Sequence, residues 1–307
     1  MSEQVISLLP SFAEVVGRRW LSKPPEWFRL HVAKGFLWLR QLESDLALLA
    51  GKVPISRLGT CYGAMLRDCD GFFNTIFEIH GATLLASIAT RVKLHAPLAE
   101  GSGRNFDVRA ETQGYIVNAE SKTRTDNFPL TVPRGPEGHF GTRPTLDPHE
   151  AADLGLPVRR PVVEDVHFKE TPESTEIRQR LLDALSQLPA SGYNLVLFGQ
   201  IQGSRHQLER ALYGGEFLVF DHNHVTKQET TERGPGAFTP GPSGDPFERL
   251  TAVLQVCLLR FSGGSLVRAY ELYSNPRANQ PLPSVVEAAL RAAMAQWTTV
   301  QESEIAL

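Results

Sequence analysis

Between Arg104 and Arg124, apolar and polar residues alternate on both sides of Gln113-Gly114. That period is expected of two half-buried strands, and the dipeptide supplies a two-residue turn in which Gly accepts a positive φ. With those residues as the turn, Thr112 pairs with Tyr115, Ala110 with Val117 and Val108 with Ala119, and Asp107 falls opposite Glu120. Phe106, Val108, Val117 and Ala119 then supply one face, while Asp107, Glu120 and Lys122 gather on the other.

Helical spacing dominates before the hairpin. Residues 10–50 carry Phe28, Val32, Phe36, Leu37, Leu42, Leu46 and Leu49 at broadly helical intervals, with Pro24-Pro25 marking a start and Gly51 a stop. Trp20, Trp27, Phe28, Phe36 and Trp38 make this end aromatic, which favours core packing between helices over a base-stacking platform. A second helix is predicted over 72–91, with Phe73, Ile76, Phe77, Leu84 and Ile88 on its apolar side. Gly81 and Ala82 are small enough to let it lie close on a sheet. After the hairpin, residues 173–188 are amphipathic through Ile177, Leu181, Leu185 and Leu188. Tyr193–Gly199 is a near-continuous apolar run that reads as a buried central strand. His206–Tyr213 reads as a short helix and Glu216–Asp221 as a strand. Glu229–Pro246 reads as a flexible loop, Phe247–Phe261 as helical, Leu266–Tyr273 as an extra strand and Ser284–Gln301 as an amphipathic helix.

This order gives an α/β fold with a mixed central sheet flanked by helices. The expected organisation is an N-terminal helical region over 1–70, an α/β core over 71–225 interrupted by a Pro-rich insertion at 123–172, and a loop with a helical extension over 226–307. The insertion holds eight prolines and little periodicity, and long loops of that kind usually carry function.

Composition changes the picture only modestly. The 307 residues are 42% hydrophobic, enough for a sizeable core, and the net charge of −3 means that any nucleic-acid surface must be local. Cys61, Cys69 and Cys257 show neither a CxxC pair nor zinc spacing, as expected of reduced thiols in a cytoplasmic protein. No basic leader and no apolar run of about 18 residues argues for a membrane. The N- and C-terminal helices are the expected place for a protein partner or a second copy.

The chemistry lies in the hairpin. Two carboxylates facing each other across a ladder repel, and a divalent cation held between their oxygens offsets the repulsion. Lys122, two residues beyond Glu120, shares its face and can orient or activate a water. The chain has 7 Lys against 24 Arg, and Glu120-Ser121-Lys122 is its single acid-x-Lys triplet.

Asp107 followed by Glu120-Ser121-Lys122 on the next strand resembles the signature of the PD-(D/E)xK nuclease superfamily, although Asn105-Phe106 stands where that family often has proline before the Asp. The resemblance covers roughly residues 72–225. It implies a restriction-endonuclease-like core, with Asp107, Glu120 and the Ser121 carbonyl as ligands of Mg²⁺ or Mn²⁺ and Lys122 as the catalytic lysine. Glu78, on the helix before the hairpin, corresponds to the additional acid that the family often carries there. The implied activity is metal-dependent phosphodiester hydrolysis, with DNA favoured over RNA. Arg104, Arg124, Arg134, Arg143, Arg159 and Arg160 are the candidate phosphate contacts, since arginine binds phosphate bidentately and stays charged. The alternative is a non-catalytic relative that uses the same sheet to bind nucleic acid or a protein partner.

Overall fold

The computed structural model of the chain describes residues 6–29, 36–98, 103–124, 173–201, 205–223, 226–234, 236–239, 244–260 and 266–305. The chain is mixed α/β. Helices α1 (Pro10–Val16), α2 (Arg18–Ser22), α3 (Phe36–Ala50), α4 (Ile55–Leu66) and α5 (Phe72–Ile88) lead into strands β1 (Arg91–Pro97), β2 (Asn105–Thr112) and β3 (Tyr115–Arg124). There follow α6 (Glu173–Gln187), β4 (Tyr193–Ile201), α7 (Arg205–Tyr213), β5 (Gly215–Asn223), β6 (Thr226–Gly234), β7 (Ala252–Arg260), β8 (Leu266–Ser274) and α8 (Ser284–Ile305).

Six strands form one open sheet in the order β1-β2-β3-β4-β7-β8. The first three are antiparallel, β4 and β7 run parallel to β3, and β8 closes the far side antiparallel. Strands β5 and β6 pair with each other as a separate hairpin. One face of the sheet buries Val108, Ala119, Leu195, Leu197 and Leu254 against α5, with α1, α3 and α4 behind it. The other buries Val196, Phe198 and Val253 against Ile177, Leu181 and Leu185 of α6 and Leu208 and Leu212 of α7. A central parallel strand covered on both faces has to be apolar throughout, which is why Leu195–Phe198 reads as an unbroken run.

The hairpin register is the one expected, with Val108 opposite Ala119, Ala110 opposite Val117 and Thr112 opposite Tyr115. Gln113 and Gly114 both adopt positive φ at the turn. Gly51 follows the end of α3, and Phe28 and Phe72 are buried with the half-buried Trp20 and Trp27 packed edge to face against them. Gly81 lies on Leu197 so tightly that a Cβ there would come within 2.6 Å of its side chain, as expected for a helix held close to a sheet.

Four expectations change. The 10–50 stretch is interrupted at Gly17, where φ of +89° ends α1; residues 26–29 are helical again, and α3 is described from Phe36. Helix α4 and strand β1 join the elements read from the pattern. Residues 247–261 are not helical: a 3-10 turn at Pro246–Arg249 leads into β7, which extends the central sheet together with β8. A short apolar run suits a buried strand and a buried helix equally by periodicity, and the sheet decided between them. Finally, Thr226–Gly234 is strand β6 and pairs with β5, so the Glu216–Asp221 strand lies outside the central sheet.

Candidate functional site

The site begins with a defect in the ribbon. Leu94 and Val108 are paired and face the α5 side, whereas the next pair, Ala96 and Phe106, faces α6 and α7. The β1–β2 ribbon therefore rolls over between them, at His95 and Asp107, and His95 takes a positive φ of 47° to allow it. Phe106 consequently leaves the face that simple alternation assigned it with Val108. The β2–β3 ladder stops at Val108–Ala119, so Asp107 and Glu120 do not meet as a plain cross-strand pair. Their side chains reach instead to main-chain groups across the gap. Ser121 N–H donates to Asp107 Oδ2 at 2.7 Å, and Asp107 N–H donates to Glu120 Oε2 at 3.3 Å.

Helix α5 brings a third carboxylate. Asp68 accepts from Gly71 N–H just before it starts, and the helix is buried around most of its circumference, as a helix sandwiched between a sheet and other helices must be. Glu78 is one of its two ionisable residues, His80 being the other. His95 Nε2 lies 3.2 Å from Glu78 Oε1, and ligand atoms of Glu78, His95 and Asp107 fall within 4.8 Å of one another. Glu120 is not in that group. It is 3% exposed, accepts from Lys122 Nζ at 3.0 Å, and faces Gln187 at the end of α6. With the Gln187 amide oriented to satisfy both neighbours, its nitrogen donates to Glu120 Oε1 at 2.9 Å and its oxygen accepts from Lys122 Nζ at 2.7 Å. Thr123, next along β3, bonds Asn74 of α5, and its carbonyl accepts from Arg180 of α6 at 2.7 Å. Both helical layers are thus pinned to the strand that carries Glu120 and Lys122.

Electrostatics follow from this crowding. Burial, then the charges of Glu78 and Glu120, push the Asp107 carboxyl well above its usual range, against the Ser121 N–H and His95. Burial raises Glu120 also, opposed chiefly by Lys122. Hydrogen bonds to Cys61 and Glu78 push the His95 imidazole up to about 10. Tyr62 of α4 is raised well above its ordinary value by burial and then by Glu78, Asp107 and Cys61. Its ring meets His95 edge on at 5.8 Å, and its hydroxyl, though beside Glu78, completes no well-formed hydrogen bond among the described residues. The Ser121 hydroxyl is likewise buried without one.

Three carboxylates with a neighbouring imidazole, a buried phenol and a buried hydroxyl still wanting a partner fit a divalent cation. Glu78, His95 and Asp107 would hold it, with Glu120 and Lys122 alongside. The fold brings together Glu78, Asp107, Glu120, Ser121 and Lys122, which the sequence singled out. Arg104 lies exposed at the start of β2, and Arg124 is the last residue of β3. Arg134, Arg143, Arg159 and Arg160 lie outside the described residues, as does the insertion from residue 125 on.

Sequence reasoning missed His95, Tyr62 and Gln187. For His95 a signal existed: Arg91-Val-Lys-Leu-His-Ala alternates strictly and forms a strand with the matching burial pattern. Tyr62 and Gln187 carry no such mark, because each enters the site from a separate helix. Among the described residues no helix is long and apolar enough to cross a membrane. No family model, curated protein or solved structure matches the chain.

Proposed function

We infer that the protein is a metal-dependent nuclease that hydrolyses phosphodiester bonds, with DNA the favoured substrate. The observation that carries this reading is the convergence of Glu78, Asp107, Glu120 and Lys122 at the point where the β2–β3 ladder opens. The order α5-β1-β2-β3-α6-β4, with three antiparallel strands and a fourth parallel to the third, supports a restriction-endonuclease-like core around that point.

A bound divalent ion supplies Lewis-acid activation of a phosphoryl oxygen and a lowered pKa for water. Glu78, Asp107 and His95 would hold such an ion, and Glu120 sets the ammonium of Lys122. Gln187 fixes both partners of that pair, so Lys122 is oriented before substrate arrives. Held as an ammonium by Glu120 and Gln187, Lys122 would donate its remaining N–H to the attacking water and orient it. Arg104, which precedes β2, and Arg124, the last residue of β3, are the proposed contacts for the flanking phosphates.

A non-catalytic scaffold is the second reading, favoured by the fact that both Glu120 oxygens already have partners within the chain. Incubation of the protein with duplex DNA, single-stranded DNA and RNA under Mg²⁺ or Mn²⁺ separates the two. Cleavage should fall by at least roughly 100-fold in Lys122→Ala and less in Gln187→Ala, in the range of general acid–base and positioning effects. Equal rates for wild type and Lys122→Ala on every substrate would remove the catalytic reading.

A further inference from the structure

The metal centre inferred above contains a nitrogen donor that the acid-x-Lys signature does not include, and this bears on which ion it takes. His95 is placed by the roll of the β1–β2 ribbon, with its Nε2 3.2 Å from Glu78 Oε1 and within the same 4.8 Å group as Asp107. The positive φ of His95 is uncommon for a residue with a Cβ and costs free energy in most settings. Here it turns an imidazole that would otherwise follow the strand's alternation into the gap between Glu78 and Asp107.

A second observation points to a ligand at the same spot. Tyr62 is 1% exposed, and its hydroxyl lies beside Glu78 without forming a well-aligned hydrogen bond among the described residues, with Asp107 as a further charged neighbour. A buried phenol held that way is better satisfied by a well-placed acceptor than by the present arrangement. An ion that pulls the Glu78 carboxylate into coordination presents the free carboxylate oxygen, or a bound water, to that hydroxyl. Ligating groups are commonly steadied by such outer partners.

From this geometry we propose that Glu78, His95 and Asp107 form a mixed nitrogen–oxygen centre that prefers a first-row transition-metal dication to Mg²⁺, with His95 as the selecting ligand and Tyr62 as its outer support. Magnesium demands oxygen ligands in near-ideal octahedral geometry and sheds water reluctantly, whereas imidazole suits the transition metals and affinity rises from Mn²⁺ to Co²⁺. Glu120 falls outside the 4.8 Å donor group, its oxygens bonded to Lys122, Gln187 and the Asp107 N–H, so the donor set is two carboxylates and one imidazole. The proposal rests on the metal-dependent reading of this site and adds the identity of the ion to it.

Calorimetric titration of the chelator-treated full chain with Mg²⁺, Mn²⁺ and Co²⁺ tests it, with the visible absorption of Co²⁺ followed in parallel. The expected order of affinity is Mg²⁺ weakest and Co²⁺ strongest, with at least about a tenfold gap between them. Two variants keep the positive φ without strain, since Asn and Gly both adopt it. In His95→Asn the Co²⁺ to Mg²⁺ ratio should fall by about tenfold, mostly through loss of Co²⁺ affinity. In His95→Gly the loss should be the same, and added free imidazole should restore both affinity and the Co²⁺ spectrum. A single cooperative unfolding transition shows that the variants are folded, with a midpoint lowered by loss of the imidazole proton.

An unchanged ratio in both variants, or no rescue by imidazole, overturns the selecting role of His95, and the nuclease reading then still stands or falls on the Lys122→Ala comparison. A His95-dependent ratio in a protein that cuts no substrate upholds the centre and removes the nuclease. No binding of any of the three ions overturns both.

Discussion

At the scale of single residues, the site is organised by a balance that neither of its halves could hold alone. Glu120 is compensated within the chain by Lys122, with Gln187 bridging the two. Glu78 and Asp107 have instead the imidazole of His95, which hydrogen bonds to Cys61 and Glu78 push up to about 10. Such a group has a definite sign in stability. An unfolded histidine titrates near 6.5, so the folded state gains from the bound proton in full below about pH 6.5 and loses that gain as pH rises through about 10. Asp107 has the same sign at lower pH, its folded carboxyl being raised above the usual 3.8. Thermal melts of the chelator-treated protein between pH 6 and 10 should therefore show a falling midpoint. His95→Asn should flatten that dependence, and an equal slope in both proteins would detach it from His95.

At the scale of elements, the position of Glu78 depends on how closely α5 lies on the sheet. Two glycines set that distance from opposite sides. Gly81 of the helix meets Leu197, and Gly199 of β4 meets Phe77, where a Cβ would come within 2.4 Å of the ring and 2.7 Å of the Phe77 Cβ. The obstruction is the root of the side chain and not its flexible end, so the helix itself has to move. Gly199→Ala should cost about 1–3 kcal/mol of stability as overpacking. Because Phe77 precedes Glu78, it should also weaken metal binding, read by calorimetry on protein that is still folded. A loss of stability with unaltered metal affinity would show that α5 can shift without taking Glu78 with it.

At the scale of the molecule, the N-terminal helices are joined to the far edge of the sheet by buried charge. Asp45 of α3, His80 of α5 and Arg268 of β8 are each 2% exposed or less, and Asp45 Oδ2 contacts both the imidazole and the guanidinium. Burial lowers the His80 pKa against the pull of Asp45, and the Arg268 guanidinium is the permanent charge beside that carboxyl. Arg268 also lies over the Tyr270 ring, whose hydroxyl donates to the His80 carbonyl at 3.3 Å. Removing one member leaves a buried carboxylate with its main partner gone. Arg268→Ala should therefore cost about 3–5 kcal/mol in urea unfolding, whereas the double replacement Asp45→Leu with Arg268→Met should recover most of it, as apolar substitutes for buried ion pairs commonly do. A double variant as unstable as the single would mean that packing around Arg268, and not the charge, holds the layers together.

The sequence by itself determined what short-range physics decides. The period-two pattern around Gln113-Gly114 set the hairpin and its register, since a slip of one residue would turn Val108, Ala110, Val117 and Ala119 out of the core. The apolar run at Leu195–Phe198 set the central strand, and Gly81 set a close helix–sheet contact. The pairing of Asp107 with Glu120 was legible as proximity, while its form was not, because the roll at His95 and Asp107 arises from packing on two opposite faces of the sheet. The helical reading of 247–261 failed for a related reason: only the partner strands β4 and β8 distinguish a buried strand from a buried helix there. His95, Tyr62 and Gln187 come from β1, α4 and α6, and their meeting with Glu78, Asp107, Glu120 and Lys122 was decided by the tertiary structure alone. Contacts over such sequence separations leave no periodic trace in the chain; they exist because burying the two faces of one sheet brings those helices and strands to the same gap.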